Sequence, residues 1–180
     1  MNNFKSISPY ELAENPFHII GMDWMLVSAA KNTDGDKFGT DYNTMTASWG
    51  GVGVLWNRPV AFVFVRPERH TFLFTEDSPF MTLSFFGGEM RSELTFCGRN
   101  SGRDTDKAAH CSLTPVFTGE NEGRSVYFDE AKLVIKARKL YADSITPDAF
   151  IDKAPLDFYR TDGLHKMYVC EITEVLVREA

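Results

Sequence analysis

The run Pro59-Val60-Ala61-Phe62-Val63-Phe64-Val65 constrains the fold more than any other part of the chain. It is apolar without a break, rich in β-branched valine, and too short between its flanking prolines for a buried helix. Such a run reads as a strand covered on both faces. Arg66-Pro67-Glu68-Arg69 ends it, because proline cannot donate to a strand ladder.

A strand of this kind needs neighbours, and short strand-like segments recur along the chain. Trp24–Ala30 is the first, closed by the turn-prone Lys31–Asp36. Phe38–Trp56 is expected as strand, functional loop and strand, with the loop at Asn43–Gly51. Phe80–Phe86 is another strand, broken by Gly87-Gly88. Ser125–Phe128 and Ala131–Tyr141 form a pair turning at Asp129-Glu130, and His165–Arg178 is a long final strand.

Helical signals are few and short. Ser8-Pro9-Tyr10-Glu11 is a capping-box pattern with proline at the first helical position, predicting a helix over Pro9–Glu14 within an N-terminal arm of about residues 1–20. Helical turns are expected over Arg69–Thr75, over Glu89–Phe96 with a stop at Gly98, and after the cap Thr146-Pro147. Seven or so strands with short helical insertions predict a mainly antiparallel barrel in one domain spanning 1–180, not a doubly wound sheet.

Charge and composition narrow the function. The 180 residues carry a formal net charge of −6, which argues against a nucleic-acid module driven by bulk positive charge. A phosphate would need a local cluster of cations. Phe 15, Tyr 6 and Trp 3 make the chain aromatic-rich, enough to fill a barrel core or line a site for a flat ring. Cys97, Cys111 and Cys170 are odd in number and lack a C-x-x-C pair, so neither a disulfide framework nor a zinc site is expected. The start, Met1-Asn2-Asn3-Phe4-Lys5, lacks the build of a signal peptide, and no apolar run reaches the roughly 18 residues of a bilayer span. The expectation is a cytoplasmic protein with no membrane and no nucleic-acid partner.

Several chemistries lack their signatures. Gly51-Val52-Gly53-Val54-Leu55-Trp56 places tryptophan where a dinucleotide fingerprint requires its third glycine. No G-x-x-x-x-G-K-[ST], H-E-x-x-H or G-x-S-x-G occurs. His18, His70, His110 and His165 are widely separated and lack metal-ligand spacing, so no metal is expected.

Three polar islands remain. Asn43–Gly51 offers the hydroxyls of Thr44, Thr46 and Ser48, accessible backbone donors and Trp49, the parts of an anion or ring-edge nest; a bulged hairpin with a core tryptophan is the plainer alternative. Arg66-Pro67-Glu68-Arg69-His70-Thr71 supplies two arginines for a phosphate, or a solvated strand end. Ser101-Gly102-Arg103-Asp104-Thr105-Asp106-Lys107 mixes cations and aspartates, pinned by the compact Ala108–Leu113 that follows, and otherwise reads as a solubilising loop.

Together with Leu113-Thr114-Pro115 and the final Asp162-Gly163-Leu164-His165 to Tyr168-Val169-Cys170-Glu171-Ile172, these islands make the chain resemble the flavin reductase-like family of the FMN-binding split-barrel superfamily, close to its flavoredoxin branch. The likeness runs from about Asn15 to about Val175. It implies a six-stranded antiparallel Greek-key split β-barrel with short peripheral helices, a homodimer, and one FMN per subunit. By that resemblance, Asn43, Met45, Thr46, Ala47, Ser48 and Trp49 would hold the flavin ring and ribityl chain. Arg66, Arg69 and Thr71 would serve the phosphate end, Lys107 would place positive charge near the phosphate or ring, and His165 would lie on the nicotinamide side.

The implied activity is that of an oxidoreductase passing hydride from NAD(P)H, a transient co-substrate, to flavin. No acid–base side chain is required, since the cofactor carries the chemistry. The alternatives are an FMN-binding electron carrier reduced by a redox protein partner, and a non-catalytic barrel binding another planar ligand.

Overall fold

The computed structural model describes residues 4–120 and 123–179. Its centre is an eight-stranded antiparallel sheet in the order β3-β2-β6-β9-β10-β5-β4, with β1 also paired to β10. These strands are β1 (Phe4–Ile7), β2 (Met25–Ala30), β3 (Tyr42–Ala47), β4 (Gly50–Leu55), β5 (Arg58–Val65), β6 (Phe80–Phe85), β9 (Leu133–Ser144) and β10 (Lys166–Arg178). A separate hairpin pairs β7 (Pro115–Thr118) with β8 (Ser125–Phe128). The mainly β, antiparallel expectation holds, but the main sheet has eight strands where six were expected.

β10 organises the sheet. Along one edge it pairs with β9 over nearly its whole length, with register shifts between Val169 and Cys170 and between Ile172 and Glu174. Along the other edge its first half pairs with β5 and its last turns with β1. Bulges of this kind raise local twist and bend a strand, which lets one long strand serve both walls of a barrel. β4 and β5 are joined by Trp56-Asn57, with φ of 51° and 57°, the positive pair that a tight hairpin turn requires.

Strand alternation sorts the apolar residues into two cores. Met25, Val27, Val63, Leu83, Ile135, Tyr168 and Cys170 point into one cluster within the sheet. Leu26, Ala30, Phe86, Val126, Phe128 and Val134 point the other way and pack beneath two helices, α3 (Arg91–Arg99) and α4 (Lys107–His110). β2 contributes to both clusters and is buried at every position. That property was expected of Pro59–Val65; in β5, Phe62 and Phe64 are only half-buried, because one face of that strand borders an open cleft.

Local signals fixed several elements closely. β8 matches its expected bounds, and α2 (His70–Asp77) overlaps Arg69–Thr75. The capping box at Ser8 is present, with Ser8 N–H donating to Glu11 Oε2 at 2.8 Å, but it starts only a 3₁₀ turn over Pro9–Glu11. The helical arm is further corrected by β1, and residues 1–3 of that arm lie outside the described residues. A three-residue α1 (Pro16–His18) follows before a π-turn at Ile19–Asp23. The helix expected over Glu89–Phe96 begins with a 3₁₀ turn and continues to Arg99 without stopping at Gly98. A Cβ at Gly98 would lie 3.4 Å from Thr46 Cβ, an ordinary contact, so α3 packs on β3 at this point.

Candidate functional site

The sequence-predicted loop Asn43–Gly51 is mostly sheet: β3 runs to Ala47, β4 starts at Gly50, and only Ser48 and Trp49 lie between them. This corner forms one wall of a cleft of about 180 Å³ lined by Met45, Thr46, Ala47, Ser48 and Trp49, with Phe64, Arg66, Arg69 and His165 opposite. Three stretches far apart in sequence thus converge, because β5 leads directly to Arg66 and α2, while β10, paired with β5, begins just after His165.

The site residues do not all reach the cleft. Met45, Thr46, Ala47, Ser48, Trp49, Arg66, Arg69 and His165 line it; Asn43, Thr71 and Lys107 do not. Asn43 is fully buried on β3, its side-chain amide atoms without a protein partner, and a Cβ on Gly102 would meet its Oδ1. Thr71 is buried in the first turn of α2. Lys107 is 2% exposed, and its ammonium donates to Thr44 O and Cys97 O, each at 2.9 Å. Lys107, expected to place positive charge near a phosphate or ring, is thus held behind the cleft wall and does not line the cleft. Asp106 caps α4 by accepting from Ala109 N–H, so the polar loop ends in a helix and its lysine turns inward behind β3.

The remainder of that loop, Arg103 and Asp104, is exposed.

Lys107 and Arg69 are desolvated rather than ion-paired. Burial lowers Lys107 to about 8, with the nearby Arg69 charge adding to the effect. Arg69 is lowered by its own burial and then by Arg66; its Nη2 donates to Cys97 O at 3.4 Å. Neither Lys107 nor Arg69 has a carboxylate in ion-pair range among the described residues. Arg66 alone meets one, with Nη1 at 2.7 Å from Asp162 Oδ2 and Nη2 donating to Phe158 O at 3.0 Å. Asp162 is more than half exposed, so this pair is weakly held. A cleft floored by under-compensated positive charge is one that an anion stabilises.

Sequence reasoning missed the aromatic side of the site. Phe64 lines the cleft two residues before Arg66, and the period-two rule for strands was the signal that could have found it. The 3₁₀ turn Ala154–Tyr159 packs against two residues that line the cleft: Phe158 sits edge-on to Trp49 at 5.5 Å, and Tyr159 Oη lies 3.1 Å from His165 Nδ1. Burial, followed by the Arg66 charge, lowers His165 to about 4, so the imidazole is neutral at neutral pH. Beyond Trp49 a second groove of about 390 Å³ shares Ser48 and Trp49 with the cleft and is walled by Phe17, Ile20 and Val52.

Known structures share this architecture. An FMN-binding domain of a flavin reductases-like enzyme from Shewanella baltica superposes with a TM-score of 0.66 at 14% identity, covering 98% of this chain and 78% of that one. Flavoredoxin of Desulfovibrio vulgaris (Miyazaki F) gives 0.63 at 20% identity, covering 87% and 69%. This chain has the fold of the flavin reductase-like split barrels. Flavoredoxin from Methanosarcina acetivorans matches the same split barrel with a TM-score of 0.62 at 19% identity, covering 88% and 69%. No protein-family model matches the sequence, and the comparison with curated proteins finds no match.

Proposed function

We propose that this split barrel binds FMN in the cleft and acts as a flavin-dependent oxidoreductase that accepts hydride from NAD(P)H. The carrying observation is the convergence of the Met45–Trp49 corner, Arg66, Arg69 and His165 in one cleft, with neither Arg69 nor the buried Lys107 behind it meeting a carboxylate among the described residues. The names of the structural neighbours, an FMN-binding domain and two flavoredoxins, support the choice of ligand.

The residues present fit an anionic, flat-ring ligand. Trp49, with the small side chains of Ala47 and Ser48, gives an aromatic edge with accessible backbone donors. Arg66 and Arg69 would hold the phosphate, Arg66 exchanging the exposed Asp162 carboxylate for it. Lys107 acts through the backbone it grips: its ammonium fixes Thr44 O directly before Met45 and adds positive field behind the site. His165, neutral and hydrogen-bonded to Tyr159, shapes the cleft without adding charge. Bound there, FMN would supply hydride acceptance and release, which explains why the cleft needs no acid–base pair.

The test is a visible spectrum of the purified protein, with and without added FMN, followed by anaerobic addition of NADH or NADPH. A flavin band that bleaches with either nucleotide is the expected result; a protein that takes up no FMN overturns the proposal.

The electron-carrier reading is favoured by one feature: exposed Phe17 and Trp49 line the groove that adjoins the cleft, as a docking protein would require. Bleaching by a reduced electron-transfer protein but by neither nucleotide would select it. We extend the proposal to a homodimer, supported by the exposed apolar Val54, Trp56 and Tyr141, and to a reducing, cytoplasmic setting, supported by three free buried cysteines. Among the described residues no helix is long and apolar enough to cross a membrane.

A further inference from the structure

Two of the cysteines touch. Cys97, in the last turn of α3, and Cys111, just beyond α4, place their sulfurs 3.8 Å apart inside the second core cluster. The helices that carry them are clamped beside each thiol: the rings of Phe96 and His110 stack at 3.7 Å and 9°. Closing the sulfurs to a covalent bond of about 2.0 Å is a local adjustment. Cys97 is fully buried and Cys111 is 8% exposed, so Cys111 is the more accessible of the two. Cys111 Sγ also lies 3.8 Å from Glu93 O, which holds its side chain in the crevice between the helices.

We propose that Cys97 and Cys111 form a peroxide-oxidisable thiol pair that closes to an internal disulfide and thereby alters ligand retention in the neighbouring cleft. The second half of this statement rests on the flavin reading; the first does not. In the first step the Cys111 sulfur attacks one oxygen of hydrogen peroxide, breaking the O–O bond and giving a sulfenic acid and water. In the second the Cys97 sulfur attacks Cys111, displacing the sulfenic oxygen as water. Two thiols lose two hydrogens and two electrons, and one peroxide becomes two waters.

The consequence for the cleft follows from what α3 holds. Cys97 O accepts from Lys107 Nζ and from Arg69 Nη2, so moving Cys97 moves both cations. Thr46 Oγ1 donates to Leu94 O one turn earlier, and Gly98 packs against Thr46, so the same turn is the backing of the Met45–Trp49 wall. Burial keeps both thiols above their ordinary range, Cys97 at about 12, so the pair rests as thiols and answers sustained rather than fleeting oxidant. Cys170, a free cysteine buried in the other core on β10, serves as an internal control.

The experiment exposes purified protein to graded hydrogen peroxide and maps non-reduced peptides by mass spectrometry, measuring FMN affinity by flavin fluorescence on the same samples. The expected result is a Cys97–Cys111 cross-linked peptide, reversed by dithiothreitol, lost in Cys111→Ser and retained in Cys170→Ser. FMN affinity should shift about fivefold or more with oxidation and return on reduction. Sulfinic acid at Cys111, or thiols intact in wild type under peroxide that oxidises free glutathione, overturns the pair. A cross-link that leaves FMN affinity unchanged overturns the coupling. Reduced protein that takes up no FMN while the cross-link still forms overturns the flavin reading and leaves the thiol pair standing.

Discussion

His165 shows how the chemistry of a single side chain is set by groups far from it in sequence. Its position in the cleft follows from the start of β10, but its state is set by Tyr159, Trp49 and Phe64, none adjacent in sequence. Burial and Arg66 lower it to about 4 from an ordinary value of 6.5. Between those two pH values the unfolded chain binds the proton and the folded chain does not, so stability falls as pH is lowered through the window and the loss is complete below it. Urea unfolding from pH 6.5 down to 4 should therefore show a steeper decline in wild type than in His165→Gln. Parallel curves would mean that the imidazole is not held neutral. For the same reason, the catalytic pH profile should carry no histidine step near 6.5 from this residue.

Among the elements, β3, α3 and α4 act as a clasp closed by Lys107. Its two donated bonds join Thr44 on β3 to Cys97 on α3, from a side chain rooted in α4. Lys107→Met keeps the volume but leaves two buried carbonyls without this donor, at a cost of about 2 kcal/mol. Chemical denaturation would read that loss, and a Met variant as stable as wild type would show that relief of the buried charge offsets it. FMN retention should weaken in the same variant, because the wall at Met45 loses its fixed point.

The elements most legible in sequence were those with strong local pattern, such as β8 and the core of α2. β1 and β7 were missed because neither Phe4-Lys5-Ser6-Ile7 nor Pro115-Val116-Phe117-Thr118 alternates apolar with polar residues, and their pairing partners, β10 and β8, supply the missing information from elsewhere in the chain. Gly98 misled in the opposite direction: it looks like a helix stop, yet α3 runs through it to Arg99 and ends at Asn100.

Over the whole molecule, the exposed apolar surface makes a prediction that no single element carries. Val54 and Trp56 project from β4 and its turn, with Tyr141 of β9 edge-on to Trp56 at 6.4 Å, leaving large side chains in water. Sedimentation should give twice the mass of the 20.4 kDa chain, and Val54→Lys together with Trp56→Arg should return it to the monomer. A monomeric wild-type protein would sink the dimer.

The sequence by itself determined the strand-rich class and the antiparallel character, because alternation and turn residues are properties of neighbours along the chain. Only the tertiary structure decided that Met45–Trp49, Arg66, Arg69 and His165 share one cleft, that Lys107 faces inward, and that Cys97 meets Cys111. Each of these depends on which surfaces are buried against one another, and burial sets both the direction of a side chain and the charge it can carry.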